Sequence, residues 1–228
     1  SVNIGKIPAK IARLSPDREA LIDPHTERRI SYGDLDARVR RLANGLRQNL
    51  GLAKGDRVAI LSKNCIEYME MIFACARCGL IAQPLNWRLS SEELARIIQD
   101  GEPLVIASSA EYADVAAALA VECGVATHLS FNHGGASSYE DLLASSADDE
   151  PDPDDQVGGD DPTLILYTGG TTGQSKGALH THHSLYMGML NQTVAERIVP
   201  TDVYMLTGQM FHIPVALAMN YMAHGCPL

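Results

Sequence analysis

Basic side chains are scarce in this sequence. Lysine and arginine number 18 against 28 aspartates and glutamates, a formal net charge of -10. Phosphate backbones recruit proteins rich in lysine and arginine, so this balance argues against a nucleic-acid binder. No apolar run approaches the ~20 residues that span a bilayer. The N-terminal stretch lacks a basic region followed by a long apolar segment and does not read as a secretory signal. The expected compartment is therefore cytoplasmic. Cysteine is limited to five residues, an odd number that argues against a disulfide framework in a chain of 228. Cys75 and Cys78 have the spacing of a metal or redox pair. No second such pair exists, and both lie in residues 66–79, an apolar stretch that reads as a buried helix. They read as core thiols in a reducing compartment.

With 46% apolar residues, the chain is long enough to bury a large core in one or two domains. Ser31 caps a helix, with Asp34 three residues on, and Leu35, Val39, Leu42, Leu46 and Leu50 recur at helical spacing until Gly51. A strand over 57–62 follows, then Asn64 as cap of a helix over 66–78 and a strand over 80–85. Ser90 or Ser91 caps a helix over 92–99. A strand (104–107), a helix (112–122) and a strand (127–131) complete the first portion, residues 1–146. Residues 147–162 hold eight carboxylates, three prolines and two glycines. Such a segment repels itself and reads as an exposed linker; a calcium loop would need a closing glutamate that is missing at the right spacing. Residues 163–228 resume the alternation with strands over 163–167, 178–181 and 203–207 and helices over 184–197 and 215–222. Strand and helix in turn point to an α/β fold of mostly parallel sheet flanked by helices.

One motif stands out. The apolar run Thr163-Leu164-Ile165-Leu166-Tyr167 feeds into Thr168-Gly169-Gly170-Thr171-Thr172-Gly173-Gln174-Ser175-Lys176-Gly177. Glycines accept φ > 0 and turn successive N–H groups inward; threonine hydroxyls and a lysine add donors and charge. A polyphosphate suits such a loop. It is neither a Walker loop, since Lys176 sits between Ser175 and Gly177, nor a GxGxxG turn. For Lys176 the plain alternative is a solvated loop lysine.

The order of these residues resembles the phosphate-binding signature of the acyl-adenylate-forming (AMP-binding) superfamily, which includes the acyl-CoA synthetases. The family pattern is roughly Tyr-Thr-Ser/Gly-Gly-Thr-Thr-Gly-x-Pro-Lys-Gly; here Ser175 replaces the usual proline. The segments ISYGDLDARVRRLANGL, GDRVAILSKNCIEYMEMIFACARCGLIAQPLNWRL and SSEELARIIQD resemble the family too, so the likeness covers nearly the whole chain after about residue 15. It implies the incomplete N-terminal domain of an acyl-CoA synthetase-like fold. The family's later aromatic-Gly-x-Thr-Glu and Thr-Gly-Asp segments, and its C-terminal domain, are absent from this sequence. An N-terminal fragment, inactive alone and partnered by the remainder of the same enzyme, is expected.

The resemblance implies activation of a fatty or aryl carboxylic acid to acyl-AMP and then to acyl-CoA, with ATP, Mg2+ and coenzyme A. Thr168, Gly169, Gly170, Thr171, Thr172, Gly173 and Lys176 would clamp the β- and γ-phosphates, with Lys176 and Thr172 catalytic. His212 aligns with an aromatic-His segment beside the acyl carboxylate; a lone histidine among apolar residues is otherwise a core residue. Amino-acid adenylation domains commonly place an aspartate there for the substrate ammonium, so a histidine favours an acid without that charge. No metal ligands are assigned in this chain: His180 and His182 would share a strand face, but Thr181-His182 matches a turn and helix entry. Asn86-Trp87-Arg88 borders the acyl pocket or packs. Two alternatives remain: a relative that passes the acyl group to a carrier-protein thiol or, luciferase-like, to oxygen, and a non-catalytic nucleotide-binding module.

Overall fold

Six strands form the main sheet in the order β6-β5-β3-β4-β7-β8: β3 (Arg57–Leu61), β4 (Ile81–Pro84), β5 (Val105–Ser109), β6 (Thr127–Phe131), β7 (Pro162–Thr168) and β8 (Lys176–Thr181). The computed structural model describes residues 2–151, 156–168, 174–211 and 214–228. All neighbouring pairs are parallel except β7 and β8, which form an antiparallel hairpin at the edge. A second sheet pairs β1 (Glu19–Asp23) with β2 (Arg28–Ser31). The helices are α1 (Ile7–Leu14), α2 (Tyr32–Asn44), α3 (Ile66–Cys78), α4 (Ser91–Gly101), α5 (Ala113–Cys123), α6 (Ser138–Ser145), α7 (His182–Glu196) and α8 (Pro214–Ala223).

The helices start where local chemistry satisfies their free N–H groups. Ser31 Oγ accepts from Asp34 N–H at 3.1 Å, and Ser90 and Glu93 form a reciprocal capping box on α4. Asn64 is not a cap. Cys65 occupies that position in α3, while the Asn64 amide donates to Gly208 O at 2.8 Å and accepts from Met210 N–H at 2.9 Å. That exchange ties the start of α3 to the segment before α8. The helix expected from Ser184 begins at His182, with Thr181 as its cap and Ser184 returning the hydrogen bond. No strand forms over 203–207. Val203 and Met205 alternate outward and stay exposed, and no neighbouring strand among the described residues pairs with the segment.

Every residue of α3 is buried, including Glu67, Glu70 and Arg77. Buried charges need partners, and each has one. Glu67 accepts from Arg28 and from Gly134 N–H, both at 2.8 Å. Glu70 is held by Arg38 and by the Tyr139 hydroxyl at 3.0 Å. Arg77 reaches Asp36 at 2.6 Å and grips Glu150 with two bonds of 3.0 Å. Cys75 and Cys78 are free thiols on the same helix, and burial pushes both up, Cys78 to about 12. Their pairing as a reactive couple is not supported.

The acidic segment is exposed at residues 147–150, 156 and 160, and ion pairs tie its flanks to the body of the fold. Asp148 pairs with Arg40, Glu150 with Arg77, and Asp161 with Lys54 at 2.8 Å. Residues 152–155 lie outside the described residues. Among the described residues no group of three or more histidines, cysteines or carboxylates is placed to hold a metal ion.

His182 and His180 do not share a strand face: His180 lies on β8, which ends at Thr181, and His182 is the first residue of α7, with no exposure at all. Its Nδ1 accepts from Ile4 N–H at 3.0 Å, which leaves the proton on Nε2, a buried atom without a partner. Burial lowers its pKa from 6.5 to about 4, against the pull of Asp161; Lys54 adds to the depression. A folded-state pKa below the unfolded one makes protons favour the unfolded chain. The stability from neutral His182 is therefore complete above pH ~6.5 and erodes as pH falls toward 4, by up to about 3 kcal/mol. Urea unfolding at pH 7.5 and 4.5 should show this loss in the wild type and a smaller one in His182→Asn, whose side chain can still accept from Ile4. Equal losses would contradict it.

Candidate functional site

The strands β4 and β7 run parallel, so their carboxyl ends reach the same edge of the sheet, where open α/β sheets bind ligands. The hairpin loop leaves β7 there. Its neck is defined: Thr168 lies opposite Lys176 in the ladder, and the Ser175 hydroxyl donates to Thr168 O at 2.9 Å. Ser175, where proline is usual in the resembling pattern, thus supplies a side-chain bond that closes the neck. Lys176 and Thr168 are both exposed, free of the protein interior. Gly169, Gly170, Thr171, Thr172 and Gly173 lie outside the described residues.

One residue before the loop, Tyr167 turns toward α4 and its hydroxyl donates to Asp100 Oδ2 at 2.6 Å. Burial, with Asp100 reinforcing it, raises the Tyr167 pKa, so it stays a neutral donor. Gly177 faces this ring across the ladder. A Cβ there would sit 2.8 Å from Ile165 Cδ1 and 3.0 Å from Tyr167 Cζ, so a side chain at this position would press on the ring.

A cleft of about 590 Å³ opens between α4 and the hairpin, lined among others by Leu85, Asn86, Arg96, Asp100, Tyr167 and Ser175. Phe211 lines it as well. His212 lies outside the described residues, but its immediate neighbour is at this cleft. Trp87 follows the lining residue Asn86: its Nε1 donates to Gln209 Oε1 at 3.1 Å, with Lys63 Nζ 5.0 Å and Arg88 Cζ 4.9 Å from the ring. These contacts favour a packing role. Asp100, just past the helix read over residues 92–99, was not among the candidate site residues of the sequence. A signal was present: an acid in the last turn opposes the helix dipole and needs a partner.

The conserved pattern of the AMP-binding enzyme family matches residues 9–227. The chain belongs to this AMP-binding enzyme family. It is 36% identical over 224 residues to the long-chain-fatty-acid–CoA ligase FadD13 of Mycobacterium tuberculosis, covering 97% of this chain and 43% of that protein. It is 37% identical over 209 residues to a feruloyl-CoA synthase of Amycolatopsis, covering 92% and 39%. The inhibitor-bound N-terminal domain of FACL13 from Mycobacterium tuberculosis superposes with a TM-score of 0.89 at 31% identity, covering all of this chain and 57% of that one. The chain thus spans about two fifths of these curated relatives' length. The mostly parallel α/β architecture is that of the acyl-CoA ligase N-terminal domain. Among the described residues no helix is long and apolar enough to cross a membrane.

Proposed function

We propose that the protein carrying this AMP-binding chain uses ATP to activate a carboxylic acid, fatty or aryl, as acyl-AMP, and then transfers the acyl group to coenzyme A. The observation that carries this reading is the convergence of two segments on one cleft: Ser175 at the neck of the glycine-threonine loop, and Phe211 beside His212. Two relatives named as CoA ligases for a fatty acid and an aryl acid support the same reaction class.

In the first step a carboxylate oxygen attacks the α-phosphorus of ATP and the bond to the β-phosphate breaks, releasing pyrophosphate. In the second, a thiol sulfur attacks the acyl carbon and AMP leaves with the carboxylate oxygen. Protein help in phosphoryl chemistry is mostly positioning and charge stabilisation. On this reading Thr168, Thr171 and Thr172 donate hydroxyl hydrogen bonds to the β- and γ-phosphates. The amides of Gly169, Gly170 and Gly173 complete the cradle. Lys176 neutralises the charge that develops on pyrophosphate, and His212 orients the acyl carboxylate. The exposed hydroxyl and ammonium groups at the neck are donors, a set that fits an anion. Mg2+ would enter with the nucleotide as counter-ion to its phosphates.

The relatives extend well past the length of this chain, and α7 presents an apolar outer face with Tyr186, Leu190 and Val194 exposed. Exposed apolar patches mark interaction surfaces; we assign this one to the remainder of the same enzyme. The test is a carboxylic-acid panel on the full-length protein with ATP and coenzyme A. Pyrophosphate release that requires an acid, together with an acyl-CoA product, is expected. Acid-independent release of ADP and phosphate would overturn the reading.

A further inference from the structure

The loop neck is fastened to the body of the sheet through a short chain of contacts. Arg57, at the start of β3, donates to the C-terminal carbonyls of α4: Nε to Gly101 O at 2.7 Å and Nη2 to Glu102 O at 3.0 Å. Gln83 on β4 donates to Ile97 O at 3.0 Å, and its side chain fills the space above Gly101, where a Cβ would come within 2.3 Å. The last turn of α4 is therefore fixed from two strands. From that turn Asp100 accepts the Tyr167 hydroxyl. Tyr167 in turn lies over Gly177, so one ring bears on both legs of the hairpin just below Thr168 and Lys176.

We propose that Asp100 is a positioning residue for the phosphate loop, acting through Tyr167. The pair sets where Thr168 and Lys176 emerge from the sheet, and so the spacing of the donors that meet the polyphosphate. Asp100 is exposed at its own position and contributes little to the core. Without that bond the ring is free to shift, and the neck donors move relative to the polyphosphate. The consequence for catalysis rests on the function proposed above; the positioning itself does not.

Two readouts separate them. Amide hydrogen exchange at residues 174–177 of the full-length protein should be about tenfold faster in Asp100→Ala and in Tyr167→Phe than in the wild type. Asp100→Asn, which keeps an acceptor oxygen, should restore the wild-type rate. Exchange unchanged in both variants, or spread evenly over the whole sheet, would overturn the positioning. In steady-state assays the KM for ATP should rise about tenfold in Asp100→Ala with the KM for the acid within about twofold, and Tyr167→Phe should add nothing in the double variant. Equal rises for both substrates, or additive effects, would overturn the link to the nucleotide. A wild type that releases no pyrophosphate would sink the proposed reaction, while the exchange experiment would still decide the positioning.

Discussion

Lys176→Ala in the full-length enzyme is expected to slow acyl-adenylate formation by about 10²-fold or more, while thioester formation from supplied acyl-AMP stays within about twofold. Lys176 is the first residue of β8, directly across the ladder from Thr168, and its side chain is exposed. On the proposed reading, a charge in that place meets the pyrophosphate end of ATP and loses its ionic partner when pyrophosphate leaves. The two half-reactions therefore diverge, which loss of folding would not produce. Lys176→Arg should recover only part of the rate, because a planar guanidinium cannot reproduce a compact ammonium at a tight neck. Single-turnover assays of each half-reaction give the comparison. Equal losses in both steps would remove Lys176 from the pyrophosphate role.

Arg38→Met is expected to cost about 3–5 kcal/mol of stability, the usual penalty for stranding a buried charge. Glu70 has no exposure, and burial already raises its pKa while Arg38 opposes the rise. Arg38 donates to Glu70 and also to Glu140 at 2.7 Å, joining α2, α3 and α6. Removing it leaves the Tyr139 hydroxyl, at 3.0 Å, as the side-chain donor to Glu70 among the described residues. Adding Glu70→Leu should recover a large part of the loss, since an apolar pair replaces an unpaired acid. Arg96→Ala, which breaks an exposed pair with Glu92 on α4, should change stability by less than about 1 kcal/mol. Urea unfolding of the three variants at pH 7 decides the point. A small effect of Arg38→Met would mean that Glu70 is solvated or neutral.

The parallel order of the sheet was legible because each strand is a short apolar run followed by a helix with its own start signal. The helix of residues 66–78 and the strand of residues 127–131 lie where the apolar pattern places them. The reading failed where a side chain serves a distant partner. Asn64 looks like a cap from its neighbours, yet its amide is committed to Gly208 and Met210 across the fold. The acidic flanks look self-repelling in isolation, but Arg40, Arg77 and Lys54 come to them from elements far away in sequence. Residues 203–207 alternate like a strand, and alternation alone does not make one without a neighbour to bond. At the site, the motif points to Thr168 and Lys176 as candidates; the Tyr167–Asp100 link was not legible, because 67 residues separate the partners.

The most direct test of the nucleotide chemistry is exchange of labelled pyrophosphate into ATP by the full-length protein in the presence of its acid. Exchange that depends on the acid and needs no coenzyme A is the expected result, since reversible acyl-AMP formation alone returns label to the β- and γ-positions. No exchange with any acid that yields product, or equal exchange without acid, would contradict it.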